Sequence, residues 1–348
     1  MLSEIDFPDV SFRTCDDVRP LIRQACKAET ELATHVTLGT SEEGRAIDAV
    51  VLGMGTKAVS LIAGAHADEP VGPETLRTFI LQTPRYGQTF RDLFTNFKFI
   101  VIPQINPDGE ARNYQWMKEW PSFEGYLQHA FREPPSRDLE FGFPAMRKEN
   151  RLVAEFLMGH APFDLHMSLH GMGFSDGGML LIEKHWIERT HTLRERYATA
   201  LTEAGIPLHD HDRKGEKGFQ YIEPGFTTTP EGQAMQAYFI SIGDINTARL
   251  FHDSSMEFVR GIGNNPLCLV TELPLFLIKK EVPDRPPGVP VAYLAFKEKQ
   301  TALRERQAAG ETIEETLQEF QLEALNLNLL VRLQFTAIQL GLEMVADE

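Results

Sequence analysis

The chain has 348 residues, with 34 Lys and Arg against 50 Asp and Glu, for a formal net charge of -16. A field of that sign repels phosphate backbones and anionic lipid heads, and no dense Lys/Arg block offsets it, so neither nucleic-acid nor membrane partners are expected. The composition, 42% hydrophobic and 24% charged, is that of an ordinary soluble enzyme, and Cys15, Cys26 and Cys268 are too few and too unpatterned for a disulfide framework or a cysteine-ligated metal.

The N-terminal stretch "MLSEIDFPDVSF" has early acids and lacks the basic start and apolar core of a signal peptide. No segment approaches the roughly 20 apolar residues that span a bilayer. A cytoplasmic protein is the expectation. The runs "AIDAVVLGM", "AVSLIAGA", "FKFIVIPQI", "FDLHMSLH", "GGMLLIE" and "LCLVTELPLF" read as strands, several rich in Val and Ile and bounded by Gly or Pro. Between them "PETLRTFILQT", "PAMRKENRLVAEFLMG" and "IERTHTLRERYATALTEAG" carry helical spacing. This alternation predicts an α/β protein, a three-layer α/β/α domain with a mixed, mostly parallel central sheet. From Thr312 to about Val345 the apolar residues recur at helical spacing with no strand signal, and the Pro-rich "VPDRPPGVP" precedes them. The expected organisation is a catalytic domain over residues 1–290 and a C-terminal helical extension over 291–348 packed on it.

In "GAHADEPVG" His66 and Glu69 follow the apolar run "AVSLIA". Glu69 precedes Pro70, which disfavours helical geometry there, so the next helix starts after it, around Pro73. The two residues then occupy the turn at the carboxyl end of a strand, where open α/β sheets place their ligand crevices. Zinc accepts both ligand types, but two ligands do not close a site, and a strand-end histidine beside a solvated loop acid gives the same pattern. "DLHMSLHGMG" supplies His166 and His170, four apart in a strand and hence on one face. His170 lies nearer the carboxyl end and is the better ligand; His166 reads as a core histidine. Glu272, inside the apolar "LCLVTELPLF", is costly to bury unpaired, and either an ion pair or a catalytic setting accounts for it.

Taken in order, these motifs resemble the zinc carboxypeptidase family of metallopeptidases over roughly residues 35 to 280. "LGTSEEGRAI" resembles its lead-in strand, "HADE" its HxxE metal pair, "NPDG" the turn after its next strand, "SLHG" the segment with its last zinc ligand, and "TEL" the one with its catalytic glutamate. The resemblance implies one zinc per chain held by His66, Glu69 and His170, with water in the open fourth position. It implies Glu272 as general base and proton shuttle, with Arg112 the nearest match for the arginine that stabilises the oxyanion. Two imidazoles and one carboxylate leave a net positive metal able to acidify water and polarise a carbonyl.

The departures bear on specificity. The family holds a substrate's terminal carboxylate with an Asn-Arg pair in a "DLNRNF"-like stretch, whereas "RDLEFGFP" puts Glu140 and Phe141 in those substrate-binding places. An acid and an aromatic replace a planar bidentate cation, so Glu140 is expected to favour a neutral or cationic group there. Upstream of Glu272 the family's tyrosine is absent, and Phe258 is the only aromatic near its place. Three readings follow: a zinc-dependent hydrolase of a peptide or amide bond that is not an ordinary C-terminal exopeptidase; an N-acyl amino acid deacylase of the aspartoacylase and succinylglutamate desuccinylase type; and a catalytically silent binding protein on the same fold. The partner is accordingly a peptide or acyl-amino-acid substrate, with the oligomeric state left open. "HDH" at 209 to 211 reads as a second metal site or a polar loop, and Trp116, Trp120, Phe123 and Tyr126 as a cleft cover or a local core.

Overall fold

The computed structural model describes residue 2 and residues 5–82 and 87–346. Its strands are β1 (Ala33–Thr40), β2 (Ala46–Leu52), β3 (Lys57–Ala63), β4 (Phe97–Ile102), β5 (Leu165–Ser175), β6 (Met179–Ile182), β7 (Tyr221–Glu223), β8 (Phe226–Thr228), β9 (Leu267–Ile278) and β10 (Leu322–Ala324). They form one mixed sheet in the order β1-β2-β4-β3-β5-β9-β6-β8-β7, with β10 paired to β9. The parallel ladder is confined to the centre, β4-β3-β5-β9, and to the β6–β8 pair; the remaining pairs are antiparallel. The sheet is thus mixed, as expected, with most of its parallel pairs at the centre; of the antiparallel pairs only β1–β2 and β7–β8 join strands that follow one another closely in the chain.

The period of two along the central strands separates the two faces of the sheet. Val59, Leu61, Ala63, Leu165, Met167 and Leu169 join a large apolar core with the helices Val71–Gln82, His191–Glu203 and Leu327–Ala346. Ala58 and Ile62 point the other way, toward the helices Lys148–Met158 and Ser255–Gly261. Ser60, His166, Ser168 and His170 share that second face by the same alternation. Ser60, His166, Ser168 and His170 thus collect on one side, while the opposite side is largely apolar, with Thr271 hydrogen-bonded there to Gln334 of the last helix.

Two glycines let the site form. Gly64, directly after β3, has φ 77°, and a Cβ there would lie 1.8 Å from Gln104 Oε1. Gly72, in the first turn of the next helix, lets that helix approach β5, since its Cβ would lie 2.3 Å from the Leu169 carbonyl oxygen. The helix starts at Val71, close to the expected place; Thr83, the last residue of its predicted span, lies outside the described residues.

The C-terminal segment differs from its expectation in three ways. It contains β10, a three-residue strand too short to show a pattern in sequence. Its last helix, Leu327–Ala346, has a hydropathy of 1.3 and is long and apolar enough to cross a membrane by length and composition, contrary to the expectation that no segment comes close. Here 61% of its most apolar window is buried, and residues from Leu327 to Val345 belong to the same apolar core as the central strands. Third, the helix Val291–Ala308 precedes it and, as shown below, reaches the cleft.

Candidate metal centre and cleft

β3 ends at Ala63, paired with Leu169, so His170 is the first residue of β5 beyond the end of its neighbour. β5 itself runs on to Ser175 against β9, which places His170 inside the strand and not at its terminus. From β3 the chain passes to β4 on one side and then crosses to β5 on the other, the arrangement that opens a crevice at the strand ends. His66 and Glu69, in the turn after β3, face His170 across that crevice.

The three side chains converge. Nδ1 of His170 lies 3.0 Å from Nδ1 of His66 and 2.9 Å from Glu69 Oε2, and His66 Nδ1 is 3.1 Å from Glu69 Oε1. One ligand atom from each falls within 4.8 Å of the others, the only such His/Cys/Asp/Glu group among the described residues. The outward nitrogens are held by carboxylates: His170 Nε2 is 3.0 Å from Glu140 Oε2 and 2.8 Å from Ser168 Oγ, and His66 Nε2 is 3.5 Å from Asp138 Oδ2. An Nε2–H given to a carboxylate leaves the Nδ1 lone pair directed at the common point, which is how metal-binding imidazoles are oriented. The donor set of His66, Glu69 and His170 therefore fits a zinc ion, which these residues could hold.

The electrostatics follow from burial and neighbours. Burial alone would drive the proton off His170, but hydrogen bonds to Glu140 and Glu69 outweigh it and lift its pKa to about 9. For His66, burial and the Arg132 charge oppose protonation, yet Glu69 and Asp138 hold its pKa well above the usual value. Burial raises the pKa of Glu69, and the charges of His66 and Arg132 reverse this and keep it ionised.

Glu272 pairs in register with His170 across the β5–β9 ladder, so both side chains stand on the same sheet face. Its Oε2 is buried without a hydrogen-bond partner, and burial, reinforced by the Glu69 charge, pushes its pKa up to about 7. Among the described residues Glu272 has no ion-pair partner, so the ion-pair alternative finds no support there.

Glu140 does not line the cleft. It is 3% exposed, and its oxygens are taken up by His170, Ser168 and the backbone N–H and hydroxyl of Ser255. The expectation that it reads a neutral or cationic substrate group is corrected: the side chain turns inward and backs His170. Phe141 does line the cleft, packed edge-on against Phe251 at 5.5 Å. His166 is fully buried, with Nδ1 2.5 Å from Ser60 Oγ and Nε2 3.2 Å from Ser255 Oγ, as a core histidine should be.

Arg112 is also misplaced by the sequence reading. It sits on the surface, paired with Glu43 and stacked 4.9 Å over the Phe131 ring. Arg132 occupies the position beside the ligands: its Nε is 2.8 Å from Asp68 Oδ1, and its guanidinium also contacts Glu69. Its only signal in sequence is that it precedes Asp138 in "FREPPSRDLEF". Phe258 stacks on Phe143 at 5.4 Å, away from the cleft, whose phenols are instead Tyr126 and Tyr293. "NPDG" opens the helix Pro107–Lys118, with Asn106 accepting from Gly109 N and donating to Glu133, and Asp108 tying down Ser41 and Arg45. Trp116, Phe123 and Tyr126 are core residues, with Trp120 packed against them and only Tyr126 reaching the cleft. In "HDH", His209 is bound to Asp176 and Ser175 in a polar cluster.

The cleft in front of the triad has a volume of about 610 Å³ and is lined by His66, Glu69, Arg132 and Glu272 on one side. Its lining also includes Phe219, Phe239, Phe251 and Met235 and the cations Arg213, Lys217, Lys297 and Arg304.

A family model described as zinc carboxypeptidase matches residues 19–125, which include His66 and Glu69 and end before Glu140, His170 and Glu272. Carboxypeptidase B of Astacus astacus is 26% identical over 159 residues, 44% of this chain and 52% of that protein. Zinc carboxypeptidase A 1 of Anopheles gambiae is 25% identical over 157 residues, 44% of this chain and 36% of that protein. The matches thus span about half, or less, of the length of these relatives. The fold is shared with carboxypeptidase A from Helicoverpa armigera, at a TM-score of 0.51 and 14% identity over 100% of this chain and 75% of that one. It is likewise shared with a candidate metallopeptidase from Shewanella amazonensis, at 0.54 and 14% over 98% and 100% of the two chains. The sequence over residues 19–125 is thus similar to the zinc carboxypeptidase family, and the fold is one that solved carboxypeptidases share.

Proposed function

We propose that the protein is a zinc-dependent hydrolase that cleaves a peptide or amide bond, with one zinc per chain held by His66, Glu69 and His170. The observation that carries this reading is the pairing of a convergent His-Glu-His donor set with an unpaired carboxylate, Glu272, beside it on the same sheet face. Zinc bound there supplies positive charge that polarises a carbonyl and makes water more acidic.

The chain's own residues divide the remaining work. Glu272, with a pKa pushed up to about 7 by burial, is poised to take a proton from the attacking water and to deliver it to the leaving nitrogen. Arg132 faces the cleft beside Glu69 and is the group placed to steady negative charge developing on the carbonyl oxygen. Asp138 and Glu140 orient the two imidazoles from behind. An acyl amino acid would be hydrolysed by the same steps, since only the group on the far side of the scissile bond differs.

The test is Glu272→Gln in zinc-loaded protein, assayed over a panel of peptides and acyl amino acids. The side chain keeps its shape but cannot accept a proton, so zinc should remain while turnover of the best substrate collapses. Wild-type turnover by that variant would remove Glu272 from the mechanism.

A further inference from the structure

Two segments with no counterpart in the motifs above contribute to the cleft lining. One is the helix Val291–Ala308, whose Tyr293, Lys297, Gln300 and Arg304 all line the cleft. Their spacing of four, three and four residues puts them on a single helix face. The other is the loop that carries Arg213 and Lys217, also in the lining. Lys217 sits at φ 57°, a conformation that non-glycine residues seldom adopt.

These cations are left without acids to neutralise them. None of Arg213, Lys297 and Arg304 has a carboxylate within ion-pair distance among the described residues, and Lys217 has only Glu216 at 3.9 Å. Arg213 instead lies 4.2 Å over the Phe219 ring and Lys297 5.8 Å from that of Tyr293, while Arg304 donates to the Leu127 carbonyl. Burial and the repulsion of Arg213 and Lys217 lower the pKa of Lys297. Acids outnumber bases 50 to 34 in this chain, so four such cations in the lining of one cleft run against its composition. A net charge of -16 repels anions from the rest of the surface and makes this lining the place where a small anion is accepted. The Asn-Arg pair that would hold a terminal carboxylate is meanwhile absent, and Glu140, in the Asn place, is turned inward.

We infer that the cleft binds a substrate carrying carboxylate groups, held by Arg213, Lys217, Lys297 and Arg304, which line the same cleft as the candidate metal ligands. Phe219, Phe239 and Phe251 take the apolar part of the same substrate. The helix Val291–Ala308 is thereby a specificity element. The inference rests on the hydrolase reading for the identity of the cleft, but its test does not require turnover. A compact carboxylate suits a cleft of about 610 Å³ that also holds Asp68, Glu133 and Glu272, acids that would repel a long phosphate polymer.

The experiment measures binding of four fluorophore-labelled dipeptides, acyl-Ala-Glu and acyl-Ala-Gln, each as free acid and as amide, to zinc-loaded protein carrying Glu272→Gln. The expected order places the doubly anionic peptide first and the neutral one last. The two singly charged peptides report whether a terminal or a side-chain carboxylate is read, and preference for either over the neutral peptide supports the inference. The ratio between doubly anionic and neutral peptides should fall about tenfold in Arg213→Ser/Lys297→Ser and should shrink with added salt. Arg306→Ser, on the same helix but paired with Glu311 outside the cleft, should leave the ratio intact. Equal binding of all four peptides, or a ratio unmoved by the double variant, overturns the inference. Hydrolysis of these peptides by the Glu272→Gln protein would instead count against the hydrolase mechanism and leave the binding result standing.

Discussion

His170 stands between two regions that treat a buried carboxylate in opposite ways. Behind it, Glu140 is tied to His170, Ser168 and Ser255, and although burial raises its pKa, these hydrogen bonds bring it below the ordinary value. In front, Glu272 lies on the neighbouring strand with a buried oxygen that has no partner, and its pKa rises to about 7. Saturating a carboxylate with donors fixes its charge, and that suits a group whose task is to orient an imidazole. Leaving one bare keeps its proton affinity near neutrality, and that suits a group whose task is to move a proton.

The sharpest way to break this contrast is to neutralise each side in turn. Glu272→Gln should lower turnover by about 100-fold or more while leaving zinc affinity nearly unchanged, read by steady-state kinetics beside metal analysis. Glu140→Gln should do the reverse and weaken zinc binding by roughly 10- to 100-fold, the scale of losing a carboxylate behind a metal-bound histidine, as read by chelator competition. Were Glu140→Gln to alter substrate choice and spare zinc affinity, the backing role would be wrong and the side chain would face the cleft.

A smaller effect comes from deeper in the same backing region. Burial lowers the pKa of His166 to about 4, below the roughly 6.5 of an unfolded histidine. Between those values the unfolded chain binds more protons, so stability is full above about pH 6.5 and is lost as the pH falls toward 4. From pH 6.5 to 5 the loss should be about 1.6 kcal/mol, seen as a fall in urea midpoint that His166→Gln flattens. Equal slopes in the two proteins would show that His166 is not held neutral. Smallest of all, Arg112→Ala should change kcat/KM by no more than about twofold, because an exposed ion pair contributes little, whereas Arg132→Ala should cost far more.

How much of this was legible in the sequence differs by residue. His66, Glu69, His170 and Glu272 each sit in a local pattern: a turn after an apolar run, a polar position in the alternating "LHMSLH", and a lone acid in an apolar strand. Those patterns are set within a few residues, and the six strands and three helices they belong to formed close to their predicted places. The substitution of Glu140 for an amide was equally visible, but the direction of its side chain depends on Ser168 and Ser255, which arrive from other elements. Arg132 was hidden because a long insertion separates it from the strand it serves, and proximity to "NPDG" in sequence favoured Arg112 instead. The cationic lining could not be seen at all, since Arg213 comes from a loop far in sequence from the helix Val291–Ala308 that carries Lys297 and Arg304. The three-residue strands β7, β8 and β10 are too short for any period to register.

The central claim is that His66, Glu69 and His170 bind one zinc, with His166 serving the core. Metal analysis of purified wild type, His170→Ala and His166→Gln, each exposed to the same zinc buffer, tests it most directly. The account predicts about one zinc per chain in wild type and in His166→Gln, with His170→Ala nearly empty. A His170→Ala protein that stays loaded while His166→Gln is stripped would contradict it, and would move the metal to the other side of Glu140.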